Sequence, residues 1–214
     1  MKKLFLIAGL MLTIWTVNAQ FYLGGSFGIY ENTGKNGQDK KVGFSYLNFS
    51  IAPEVGYNIS DKIDMGLSLI FLNNTRKAYQ FVGDEMSSKT ITTGWGLSPY
   101  IRYSIYKFGN FDVLGKAALN YSNNTSKFYD EAGNQNDKRS STVFGLNISP
   151  ILFYNLSDRI ALYTQLNFLG LDLSSMTEKT SDVKTGSSST FKLGANTDNL
   201  ATFGELQIGF VYKF

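Results

Sequence analysis

Hydrophobic residues recur at every second position along most of this chain. In the first such segment Phe21, Leu23, Gly25, Phe27 and Ile29 share one side, and Tyr22, Gly24, Ser26, Gly28 and Tyr30 the other. The pattern returns over 47–58, 63–72, 94–103, 111–121, 144–154, 160–168 and 205–214. Residues two apart lie on nearly opposite sides of a helix, which would scatter these apolar sets, whereas on a strand they line one face. The pattern therefore predicts eight β-strands, each apolar on one face and small or polar on the other.

The connections alternate in length. Short turns are expected near 59–61, 106–109 and 156–158, and long polar connections over 31–46, 73–92, 122–141 and 172–201. A soluble β-sandwich also alternates along its strands. Tight turns at one end and long loops at the other instead suit an up-and-down barrel that crosses a membrane, with both termini on the periplasmic side. Tyr57, Tyr103, Tyr154 and Tyr212 lie on the outward face near that end, where an aromatic girdle belongs. A weak repeat fits the same count. Pro53, Pro99 and Pro150 each precede one of these tyrosines by four residues. A proline lacks the N–H that a ladder needs, so each is expected at a bulge near the rim.

Composition narrows the class. Lys2 and Lys3 followed by an apolar run to Trp15 and the box Val17-Asn18-Ala19 read as a signal peptide over 1–19, leaving the barrel domain at 20–214. The apolar run is shorter than the ~20 residues of a spanning helix. Without Lys2 and Lys3 the 20 basic residues fall to 18 against 17 acidic ones, a net charge of +1, so no nucleic-acid partner is expected. There is no cysteine, which removes disulfides and thiolate metal sites. The chain holds 17 Phe and 13 Tyr, yet after the signal segment no apolar run long enough for a helix, as alternating membrane strands require.

The alternating segments, the Val17-Asn18-Ala19-Gln20 junction and the closing Gln207-Ile208-Gly209-Phe210-Val211-Tyr212-Lys213-Phe214 carry a resemblance. The chain resembles the small eight-stranded outer-membrane barrels of the OmpA/OmpX type, in the form of the Bacteroidetes-type porin-family proteins. The resemblance implies an all-β, antiparallel barrel in the outer membrane of a Gram-negative bacterium, in contact with lipid and lipopolysaccharide. It also implies that Phe210, Tyr212 and Phe214 form the C-terminal signal read by the barrel-assembly machinery. A separate peptidoglycan-binding domain is not expected in 20–214.

The chemistry open to such a barrel is narrow. Barrel enzymes of this resemblance depend on a catalytic histidine, and the chain has none. A serine or water nucleophile needs such an adjacent base, so no enzyme, cofactor or metal site is expected. Asp130, Glu131 and Asp137 form at most a weak carboxylate cluster and read better as a solvated loop. Gly109 to Lys116 imitates a phosphate loop but has the wrong spacing and lies in a strand. The informative charges face inward: Glu54, Asp64, Arg102, Asp112, Lys116, Glu205 and Lys213. An eight-stranded barrel is just wide enough to be filled by side chains, and buried charges must pair. Glu54, Arg102, Lys116 and Glu205 are therefore expected to form a network that plugs the lumen. A narrow passive channel along the same residues is the alternative. Residues 174–200 are too poor in apolar surface to be expected to order fully. Phe81, Phe128, Tyr129 and Phe191 within the outer connections are read as hairpin packing or as anchors for a surface ligand.

Overall fold

The computed structural model describes residues 20–35, 42–79, 86–166, 169–180, 183–195 and 206–214; the signal segment, Phe81, Glu205 and residues 167–168 fall outside them. Ten strands follow one another: β1 (Phe21–Lys35), β2 (Val42–Asn58), β3 (Ile63–Tyr79), β4 (Met86–Phe108), β5 (Phe111–Tyr129), β6 (Gln135–Asn155), β7 (Ile160–Leu166), β8 (Leu169–Thr180), β9 (Val183–Ala195) and β10 (Leu206–Lys213). Eight of them, β1 to β7 and β10, pair antiparallel around a closed ring that β10 completes against β1. This is the eight-stranded barrel that the alternation predicts. Closure leaves the paired part of the barrel no free edge.

The long connections are long because the strands run on. Residues 73–79, 86–92, 122–129 and 135–141 continue their ladders outward as hairpins. Within 172–201, β8 pairs with the outer half of β6 and β9 returns beside β8. The expectation that 174–200 would not order fully is thus corrected for 174–180 and 183–195. These rows bury little apolar surface, but Ser and Thr side chains bond across strands. Thr92 and Ser126 hydroxyls lie 2.8 Å apart, and Asn123 Nδ2 donates to Thr142 Oγ1 at 3.2 Å.

Each of the three prolines keeps one paired neighbour and breaks the ladder on its other side, and only one of them sits at a change of register. Pro53 pairs regularly with Gly25 of β1, while the ladder from β2 to β3 lapses at Ala52 and Pro53 without changing register. Pro99 pairs with Leu67 of β3, and the ladder to β5 lapses at Ser98 and Pro99, again in register. Only at Pro150 does the register shift. There β6 passes from Ile148↔Leu171 to Ile151↔Gln165, so two of its residues face a longer stretch of the neighbouring chain. Gly170 occupies this irregularity at φ 137°, where a side chain would run into the carbonyl of Ile148. At Pro53 and Pro99 the missing N–H thus costs one side of the ladder and needs no extra residue.

A bulge does occur in β4, between Ser104 and Tyr106. It turns Ile105 and Tyr106 outward together, and β4 continues to Phe108 where a turn near 106–109 was expected. Alternation breaks at that point in the sequence, so the break reads as a strand end.

The core is the lumen. Tyr22, Leu114, Ile151, Phe153, Ala161, Tyr163 and Val211 pack inside the ring as its buried apolar cluster. The inner rings need space, which glycines on neighbouring strands supply. Tyr22 lies over Gly56, Tyr100 over Gly66 and Tyr163 over Gly209, and a Cβ at any of the three would meet the ring above it.

Candidate functional site

The strand registers bring Glu54, Asp64, Arg102 and Lys116 together toward the short-turn end of the lumen. Asp64 stands directly opposite Arg102, and Arg102 directly opposite Lys116. Two cations side by side must separate, and they do. Arg102 Nε donates to Asp64 Oδ1 at 2.7 Å, and its Nη1 lies 3.5 Å from Glu54 Oε1. Lys116 Nζ turns to the Gln165 Oε1 atom at 3.3 Å and to the face of Tyr100, 4.6 Å from the ring centre. The Arg102 and Glu54 side chains are 2 % and 1 % exposed, and Asp64 13 %, so this is a buried ion-pair system.

Aromatic rings enclose the guanidinium. The centres of Tyr22, Tyr100 and Phe153 lie 4.9, 5.0 and 5.0 Å from Arg102 Cζ. Cation–π attraction replaces part of the lost hydration, and a planar, weakly hydrated guanidinium suits such a box. The hydroxyl of Tyr22 donates to Asp64 Oδ1 at 2.8 Å and lies 2.9 Å from that of Tyr100. Ser68 Oγ donates to Glu54 Oε2 at 3.4 Å, and Gln165 Nε2 to Ser149 Oγ at 3.0 Å. Each buried charge thus has partners, which a low-dielectric interior demands.

A polar cavity lies on each side of this layer. The outer one, of 260 Å³, is lined by serines and amides together with Glu54, Lys116 and Asp172. The inner one, of 90 Å³, is lined by Tyr22, Asp64, Arg102, Asp112 and Lys213 among others. They share no lining residue, and Tyr100, Ile151, Ala161 and Tyr163 belong to neither. In the inner cavity Ser104 Oγ donates to Asp112 Oδ1 at 2.6 Å, with Lys107 3.5 Å from the same carboxylate, and Lys213 Nζ donates to Asn155 Oδ1 at 3.4 Å.

Of the predicted network, then, Glu54 and Arg102 meet directly, Lys116 sits against them through Tyr100, and Glu205 lies outside the described residues. Sequence reasoning placed Asp64 on the inward face but left it out of the network, although it makes the shorter of the two ion pairs of Arg102. It also missed Tyr22 and Gln165 as members. Tyr22 carried a signal, since it shares the inward face of β1 with three small residues that follow it, Gly24, Ser26 and Gly28. Gln165 carried none that its neighbours lack.

At the barrel rim Tyr57 packs edge-on against Phe21 with centres 4.9 Å apart and donates a hydrogen bond to Gln20. Tyr154 stands 4.8 Å from Phe111, which stacks on Phe108 at 5.1 Å, which meets Tyr106 at 5.9 Å. Tyr103 is outward and exposed, and Tyr212 packs edge-on against the terminal Phe214 at 5.3 Å. The bulge in β4 adds Tyr106 to a row that the sequence placed on fewer residues.

The outer carboxylates are engaged otherwise. Asp130 Oδ1 accepts from the Asn134 N–H at 2.8 Å and closes the β5–β6 turn. Asp137 takes Arg139 Nε at 2.9 Å, a hydrogen bond that holds its carboxyl below the usual carboxylate range. Among the described residues no three His, Cys, Asp or Glu side chains converge as a metal site would need.

Compared with known proteins, the chain matches no family model and no curated protein. Solved structures do resemble it. Neisserial surface protein A shares 16 % identity over 91 % of this chain and 97 % of its own, with a TM-score of 0.44. A major outer membrane protein from Thermus thermophilus shares 14 % over 91 % and 98 %, at 0.48. Ail, the attachment invasion locus protein of Yersinia pestis, shares 13 % over 92 % and 100 %, at 0.38. At these identities and scores the barrel rests on this chain's own strand pairing, and what those proteins do stays with them.

Proposed function

We propose that this chain is a non-enzymatic β-barrel of a bacterial outer membrane, with periplasmic termini, a lumen plugged by side chains, and a structural or surface-interaction role exerted through its outer hairpins. The observation that carries the reading is the inversion of its faces. Phe27, Ile29, Phe49, Leu69, Phe71, Ile101, Leu119, Phe144 and Phe210 all stand exposed on the outside, while Glu54, Arg102 and Lys116 are buried within. Soluble proteins rarely expose contiguous apolar patches above a few hundred Å². An apolar band running round a barrel, edged by aromatic rows, is the arrangement that suits it to lipid. The Bacteroidetes-type affiliation belongs to the same reading, as do Phe210, Tyr212 and Phe214 as assembly signal.

Fractionation of cells making the chain tests this. The protein should follow the outer membrane, and protease added to intact cells should cut only within the outer hairpins. Recovery in the soluble fraction would overturn the proposal.

The polar cavities on both sides of the Arg102 layer favour one second reading, a narrow gated path for small solutes. Planar-bilayer recordings separate the two. The plugged barrel stays silent, and a steady conductance supports the channel.

A further inference from the structure

The outer chamber of the lumen is built unlike the layer that floors it. In that layer rings take up the space, Tyr22, Tyr100, Phe153 and Tyr163 among them. Further out, β1 to β4 each turn one serine inside, Ser26, Ser50, Ser68 and Ser98, and β5 contributes Ala118. Short side chains on five neighbouring strands cannot fill even an eight-stranded barrel, so 260 Å³ stays open. That volume matches about nine waters at ~30 Å³ each, or one solute the size of a monosaccharide.

The charges beneath it are shared unevenly. Asp64 and Glu54 both go to Arg102, and Ser68 takes the second Glu54 oxygen. Lys116 is 8 % exposed, and its ammonium has Gln165 Oε1 and the Tyr100 ring, both neutral partners. A lumen that is only plugged gains most by setting a buried cation against a carboxylate. Here the lysine instead rests on neutral groups in the wall of an open chamber.

The hydrogen bonds beside it run in one direction. With Lys116 on its Oε1, Gln165 donates through Nε2 to Ser149 Oγ at 3.0 Å, and Ser149 donates to Asn147 Oδ1 at 3.1 Å. Asn120 Oδ1 in turn accepts from Ser98 Oγ at 2.7 Å. Both asparagines thus accept within the wall, which keeps their NH2 groups for donation, and both line the chamber. Two acids line it as well. Glu54 is engaged by Arg102, and Asp172 accepts from Ser174 Oγ at 3.3 Å and stands in register with Lys192.

We propose that the outer chamber binds a small polyhydroxylated carboxylate, a sugar acid. Its carboxylate meets Lys116 and the asparagine NH2 groups, and its hydroxyls run along the serines. Such a site needs a chamber closed on its inner side, so it goes beyond both a surface role and a through path.

The test uses the full chain folded in detergent, titrated calorimetrically at constant ionic strength with D-gluconate, D-glucose, D-glucosamine and acetate. Gluconate should bind best. Glucose, which lacks the charge, and acetate, which lacks the hydroxyls, should each bind about tenfold more weakly or worse. Lys116→Met should weaken gluconate binding about tenfold or more and leave glucose unaffected. Ser50→Leu fills the chamber without touching the ion pairs and should weaken both sugars. The gel-mobility difference between folded and heated barrel scores folding of each variant, and Ser50→Leu with the ligand series decides if Lys116→Met does not fold. No heat with gluconate, equal binding of glucose and gluconate, or full gluconate binding by either folded variant overturns the site. A preference for glucosamine overturns it too, because Glu54 and Asp172 would then set its charge.

Discussion

Arg102 is the residue on which most of the interior depends. It bridges Glu54 and Asp64 and stands inside three aromatic rings. Removing one partner of a buried ion pair costs about 3–5 kcal/mol, since the other charge is left uncompensated. Arg102→Ala should therefore lower the unfolding free energy in vesicles by that amount, measured by urea titration. Arg102→Lys should recover little, because an ammonium cannot hold both carboxylates and lie flat against the rings. Full stability in Arg102→Ala would mean the pairs contribute nothing. Gly56 gives a second handle at this scale. Gly56→Ala puts a methyl group into the Tyr22 ring and should cost roughly 1–3 kcal/mol. Adding Tyr22→Leu should relieve the clash, so the double variant should fall short of the sum of the singles.

Among the elements, register matters more than length. Every outward and lumen-facing row inverts if a strand slips by one residue. Deleting Leu69 from β3 should thus prevent folding, seen as loss of the gel-mobility difference between folded and heated barrel. Deleting Ile105 should be tolerated, because it removes the bulge between Ser104 and Tyr106 and leaves the pairs on either side in register. The reverse pattern would contradict the register account. These same elements mark what was legible in the sequence. Strand identity and facing were readable wherever an apolar row faces a small or polar one, as in β1 and β10. The outer halves were not. Asn73-Thr75-Lys77 on β3 and Ser175-Thr177-Lys179 on β8 present polar side chains on the face that is apolar lower down, so period-two hydrophobicity vanishes while the ladder continues. Facing alone put Glu54 and Arg102 on the lumen side, but which carboxylates Arg102 meets, Asp64 as well as Glu54, depends on the register between strands. The contribution of Tyr22 and Gln165 depends on shear around the ring, which no single strand encodes.

The whole molecule is a barrel turned inside out relative to a soluble protein, with a two-chambered lumen. Tyr100 and Tyr163 stand between the chambers and line neither. Replacing both by Ala should join the cavities and give a silent barrel a measurable single-channel conductance. Silence of the double variant would place the barrier elsewhere, at Phe153 or the Arg102 layer. Because the chain has no cysteine, every position is open to single-site labelling. The inversion of faces is tested most directly by placing a fluorophore at each residue from Met65 to Phe71 in turn, with the barrel in vesicles carrying a lipid-attached quencher. The account predicts strong quenching at Met65, Leu67, Leu69 and Phe71 and weak quenching at Gly66, Ser68 and Ile70. Uniform quenching, or none at any position, would contradict it.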